Sequence, residues 1–174
     1  MEYWIIYHVA TGELLIRGSG ERGSAAQQQL PDGTAIIAVP QKVVAQPEID
    51  LAALRAACIY SVDVEAEAAR GRFLTAGSGQ AMTYTRKETE ARAWTADNSI
   101  ATPFLSAEAN ARGLTLADLI AEVIGQADAW VTIGAAIEAR RMGAKAAIAA
   151  AATFGGIVAA RNIDWSALDA AAGA

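Results

Sequence analysis

Apolar residues follow two different rhythms along this chain, and the rhythm changes near residue 40. Residues 3–9, Tyr-Trp-Ile-Ile-Tyr-His-Val, are rich in strand formers, and the turn-like residues 10–13 follow them. Residues 14–17 read as a return strand, which predicts a hairpin. Residues 18–23 read as a loop and 24–29 as a short helix. Pro31, Asp32 and Gly33 mark a tight turn, and residues 34–39 form a third strand before Pro40. Alternation sets Tyr3, Ile5 and Tyr7 on one face against Trp4, Ile6 and His8 on the other, so both faces carry apolar groups. Three short strands bury little by themselves. The pattern therefore predicts a sheet completed by a neighbour, with the helical part able to fold without residues 1–40.

Beyond a linker over residues 41–49 the period becomes helical. Asp50 is a good N-cap, and Leu51, Leu54, Cys58, Val62, Ala66, Ala69 and Phe73 recur at steps of three and four. This predicts a helix over about 51–75, ended by Gly77-Ser78-Gly79. A second helix is expected over about 80–96. Its Arg86/Glu90 and Glu88/Arg92 spacings suggest a solvated face. Ser106 is expected to cap a short helix ending at Gly113. The longest element is predicted over about 115–153, with Thr115 and Asp118 resembling a capping box and Gly155-Gly156 as its stop. Along it Leu116, Ile120, Val123, Ala127, Trp130, Gly134, Ile137, Arg141, Ala144 and Ile148 step 4-3-4-3, a heptad seam. The expected partner is the 51–74 helix running antiparallel, with Val62, Ala66 and Ala69 opposite Ala127 and Gly134. A coiled coil between chains is the competing arrangement. A last turn is expected over 163–168.

The expected fold class is α+β, mostly α. A small β-hairpin module and linker (1–49) precede antiparallel Ala-rich helices (50–174). Composition sharpens this picture. Of 174 residues 43 are alanine, while aromatic residues make up only 6%. Alanine is the best helix former and lets helix axes approach closely, but it buries little area. The net charge is −5, and both halves are mildly acidic, so no basic face for nucleic acid is evident. Cys58 is the sole cysteine, which excludes an intrachain disulfide and a cysteine-based zinc site. The N-terminus has no signal-peptide pattern. The longest uncharged run in the apolar C-terminal half, residues 146–160, is expected to be too short to span a bilayer.

Candidate chemistry is sparse. Gly18, Gly20 and Gly23 spell a dinucleotide fingerprint, but the helix after them is too short for a βαβ crossover. His8 is the single histidine, so there is no His cluster, and a packed or surface role suits it best. Glu65/Glu67 and Glu88/Glu90 stand two apart on helices and diverge instead of converging as a carboxylate pair. Cys58 lies on an apolar stripe, where an inert buried thiol is the default. No catalytic, cofactor or metal residues are therefore assigned, and no enzymatic activity is expected. The residues singled out for protein contact are Tyr3, Ile5, Tyr7, Trp94, Trp130, Gly134 and Trp165, since large aromatics anchor interfaces.

Several stretches carry a resemblance. Residues 67–75, 77–84 and 87–94, then Pro103-Phe-Leu, residues 114–119, Ala129-Trp130, residues 136–141 and 145–150, look like Ala-rich helical small proteins of tailed-bacteriophage tail and tail-fibre morphogenesis clusters. Leu30-Pro-Asp-Gly33 and the strand ending Val39-Pro40 are similar to small β modules of the same proteins. The resemblance implies a structural component of a phage particle at the tail or tail-fibre attachment region. It would be located in the virion, contact other phage structural proteins and stand in several symmetric copies or as a homo-oligomer. An assembly chaperone that leaves the mature particle is the alternative it also admits. No cofactor, nucleic-acid partner or membrane is expected.

Overall fold

The computed structural model describes residues 1–74 and 77–168. The fold is α+β and mostly α. Strands β1 (Glu2–His8), β2 (Leu14–Gly20) and β3 (Thr34–Val39) form one antiparallel sheet in the order β2-β1-β3. Helices α1 (Gln41–Val44), α2 (Leu51–Gly71), α3 (Ser78–Ala96), α4 (Pro103–Arg112), α5 (Leu116–Ala150) and α6 (Phe154–Arg161) follow. Among the described residues two compact units form, one from residues 1–67 with 138–165 and the other from 68–137 with 166–168.

In the first unit β1 is the central strand because its residues are apolar on both faces and need cover above and below. Ile5 joins Ile37 and Val39 of β3, Val43 of α1, Leu54, Cys58 and Val62 of α2, Ala144 and Ile148 of α5, and Ile157 and Val158 of α6 in one buried cluster. Tyr3, Tyr7 and Leu14 border it, and Tyr7 meets Phe154 edge-on with ring centroids 5.5 Å apart. On the opposite face Trp4 and Ile6 pack with Ala25 and Ile36. Trp4 is only 5% exposed. Its indole lies across Gly18 and Gly20, and a Cβ at Gly18 would come within 2.3 Å of the ring. The Glu2 carboxylate accepts hydrogen bonds from the backbone N–H groups of Gly23 and Ala25, drawing the loop back over the tryptophan. Two of the three fingerprint glycines, Gly18 and Gly20, are thus a bed for an indole. Both sheet faces are covered within the chain, which corrects the expectation that a neighbour must cover one of them.

The C-terminal part of the long-helix seam, Arg141, Ala144 and Ile148, lies in the same unit. Arg55 donates through Nε and Nη2 to the Ala151 carbonyl at the end of α5, while Asp63 accepts from Arg141 and Lys145. The paired numbers rise on α2 as they fall on α5, so the helices run antiparallel, as the spacing predicts. Their register is shifted, however: Val62 shares its cluster with Ala144 and Ile148, and not with Gly134. All ten seam positions are buried or half-buried within the single chain. The bulk around Gly134 comes from its own helix, where a Cβ would lie 3.3 Å from the Trp130 indole.

The expected stop of this helix is also corrected. α5 ends at Ala150, and Gly155 and Gly156 lie inside α6, whose N-cap Thr153 accepts from the Gly156 N–H through its hydroxyl. Gly155 is there because Gly12 of the β1–β2 turn sits against it. Gly12 has φ +69°, and a Cβ on it would fall 2.4 Å from the Gly155 Cα. Two side-chain-free residues let a turn and a helix start touch through their backbones. Val43, expected in a linker, is fully buried in α1. Part of the region around the expected 77–79 stop, residues 75–76, lies outside the described residues. Gly77 itself precedes α3 with φ +125°.

The second unit is built on a small apolar cluster: Ala91 of α3, Leu105 and Ala109 of α4, and Leu119, Ile120 and Val123 of α5. Trp94, Leu116 and Ile124 pack against it. Thr115 caps α5 as predicted, its hydroxyl accepting from the Asp118 N–H at 3.1 Å and donating to the Asp118 carboxylate at 2.6 Å. Gly113 closes α4 at φ +67°, with the Leu114 N–H reaching the Ala109 carbonyl. The start of α4 departs from expectation. It begins at Pro103, and no cap comes from Thr102 or Ser106. Instead Glu90, reaching over from α3, accepts from the N–H groups of Phe104 and Leu105 at 3.0 and 3.2 Å. Glu90 is 4% exposed, so the expected solvated face holds for Glu88 and Arg92 but not for Glu90. A carboxylate at a helix N-terminus meets both orphan donors and the positive end of the dipole.

Candidate interaction surface

Titratable groups able to perform chemistry are scattered or already engaged. Among the described residues no three His, Cys, Asp or Glu side chains are placed to hold a metal ion. Cys58 is buried on α2, and burial pushes its thiol pKa up, with Glu65 adding to the rise and Arg161 opposing it. A raised thiol is a poor nucleophile. His8 keeps Nδ1 buried without a hydrogen-bond partner among the described residues. Glu65 accepts from Arg161 at 2.5 Å and from the Trp165 indole at 3.2 Å, while the Arg161 guanidinium also reaches the Ser61 hydroxyl at 2.9 Å. This network ties α6 and the segment after it to α2.

Of the residues singled out for contact with other chains, Ile5 is buried in this one and the other six are half-buried. Ile5 is fully buried, Tyr3 and Tyr7 border the same core, and Trp94 packs on the second cluster. Trp130 covers Gly134, and Trp165 is held by Glu65. What remains open in the first unit is an edge of the sheet, which the sequence pattern did not single out. Val9 donates to the Gly33 carbonyl at 2.9 Å, so in the β1–β3 register Tyr7/Ala35, Ile5/Ile37 and Tyr3/Val39 also exchange ladder bonds. The peptide groups of Ile36 and Ala38 then point away from β1. They have no backbone partner among the described residues.

Beside this edge lies a recess of about 290 Å³ between β3 and α2, with Leu54, Ala57 and Cys58 as its apolar floor and Arg161 at its rim. A second recess continues along the strand past Ala38 and Pro40 to Lys42, Ala56 and Tyr60. Tyr60 is 71% exposed and Val64, one turn on, is 50% exposed, so this side of α2 carries uncovered apolar surface next to unpaired backbone. The arrangement offers hydrogen bonds in a row and a shallow apolar shelf, which is the chemistry of strand addition. The other edge, on β2, is interrupted by a bulge opposite Ile6 and Tyr7, and Arg17 there donates to the Gln46 and Pro47 carbonyls. A bulge and a guarding side chain make a poorer ladder.

By length and composition alone α5 could cross a membrane, although the uncharged run that prompted the contrary expectation is short. Comparison with known protein families, curated proteins and solved structures finds no match for this chain.

Proposed function

We propose that this chain is a structural component of a tailed-bacteriophage particle, at the tail or tail-fibre attachment region, acting through protein–protein contacts and not catalysis. The resemblance of residues 60–150 to helical tail-cluster proteins carries the reading. The open β3 edge beside an apolar shelf supports it, because the polar groups there are backbone amides suited to another chain. The alternative is an assembly chaperone made in the host bacterial cytoplasm and absent from the finished particle. Mass spectrometry of gradient-purified particles tests both. A structural component stays at stoichiometric amounts in a symmetric multiple. A chaperone occurs in the lysate of infected cells and is lost from particles. Absence from both overturns the phage reading.

A further inference from the structure

We propose that the β3 edge is a self-association site: two copies of the chain pair their β3 strands antiparallel about a two-fold axis at Ile37, making one six-stranded sheet. In this register Ile36 of one copy stands opposite Ala38 of the other. The two residues exchange N–H and C=O bonds twice by symmetry, which satisfies every outward N–H that β3 leaves unpaired between Thr34 and Val39. The Thr34 N–H is already spent on the Pro31 carbonyl in the preceding turn. Pro40 has no N–H, so the ladder stops there.

Charge selects a second copy over an arbitrary strand. The edge has an acid at its start, exposed Asp32, and a base at its end, exposed Lys42, which lines the second recess. Neither has an ion-pair partner among the described residues. Antiparallel self-pairing about Ile37 puts Asp32 of each copy opposite Lys42 of the other, whereas a parallel pairing would set like charges side by side. Ala56 and Tyr60 of α2 line the recess beside Ala38 and Pro40, so the same two-fold brings this exposed side of α2, with Val64, toward its symmetry mate. The alanine there permits helices to come to the 8–10 Å usual for packed pairs. The proposal is independent of the particle reading, because it concerns the purified 174-residue chain alone.

Analytical ultracentrifugation of the full chain over a range of concentrations tests it, with circular dichroism to verify folding. The expected result is a monomer–dimer equilibrium. Ala38→Pro removes an outward amide without touching the β1 ladder, and should shift the equilibrium to monomer by tenfold or more with the helical spectrum unchanged. Lys42→Asp should weaken the dimer, and Asp32→Lys with Lys42→Asp should restore it, a rescue that misfolding would not produce. A wild-type chain that stays monomeric overturns the proposal. So does a dimer indifferent to Ala38→Pro and to the charge swap, since its contact would lie elsewhere.

Discussion

The two units of this molecule are held by different means. The first encloses branched and aromatic side chains, with Ile5, Ile37, Leu54, Val62, Ile148 and Ile157 drawn from strands and helices far apart in sequence. The second has a smaller cluster in which alanine takes a larger share, and beside ion pairs of the kind both units carry, here Lys87 to Glu108, Arg112 to Glu108 and Glu122, and Arg92 to Glu88 and Asp128, it sets buried Glu90 on the start of α4. Alanine helices leave little area to bury, at about 25 cal/mol per Å² of apolar surface. Directional bonds then define which helix lies where. Exposed ion pairs add little free energy each, so the second unit should be sensitive to loss of Glu90, the one buried carboxylate among its described residues. The lesson is that a uniform alanine content hides two unlike stabilising strategies.

The sharpest way to break the contrast is through the cores. Leu54→Ala empties a fully buried site in the first unit and should cost about 2–5 kcal/mol, read as a drop in the midpoint of urea unfolding. Removing residues 1–40 should be worse still. Ile5, Ile37 and Val39 leave with them, so the expectation of an intact helical remainder is not supported by this packing. In the second unit Glu90→Ala strands two amides at the start of α4, and should cost about 2–3 kcal/mol. Hydrogen exchange should show that loss concentrated at residues 103–112. Glu90→Gln, which keeps one acceptor oxygen, should lose less.

Smaller effects sharpen the comparison. Gly18→Ala drives a methyl into the Trp4 indole and should destabilise by about 1–3 kcal/mol, the range for overpacking. A thermal melt reads it, and a neutral result would mean that the loop yields and is no bed for the ring.

Acid should act on both units through their carboxylates. Hydrogen bonding to Lys87 holds Glu108 below its ordinary pKa, and Arg112 does the same for Glu122. Lys145 and then Arg141 lower Asp63 in the first unit. A carboxyl whose folded pKa is lowered adds stability above its unfolded value, and loses it as pH falls through the folded one. Melting temperature should therefore hold from pH 7 to about 5 and decline below about 4. Gly134→Ala should be nearly neutral. The gain in helix propensity of about 1 kcal/mol offsets a 3.3 Å contact with an indole on the same helix. A loss of several kcal/mol would reveal a tighter neighbour at that position.

Local signals in the sequence determined much of this protein. The strand-to-helix change near residue 40, the caps Asp50 and Thr115, the left-handed Gly113 and the ten-position seam all rest on spacing and backbone preference within one or two turns of chain. Only tertiary structure decided the rest. Gly12 and Gly155 read as a turn and a stop, yet they are a backbone contact between residues far apart in sequence. Glu90 reads as half of a surface pair, yet it caps another helix. The open edge of β3 was equally invisible, because which strand lies at the centre depends on which faces the helices and the glycine loop cover. The seam has the same property: heptad spacing states that a stripe will be covered, while the covering chain depends on where α2 lies, and there Asp63, Arg141 and Lys145 settle the register. Periodicity encodes what a residue must avoid, namely water, whereas its partner depends on loop paths and close approaches that no short window of sequence contains.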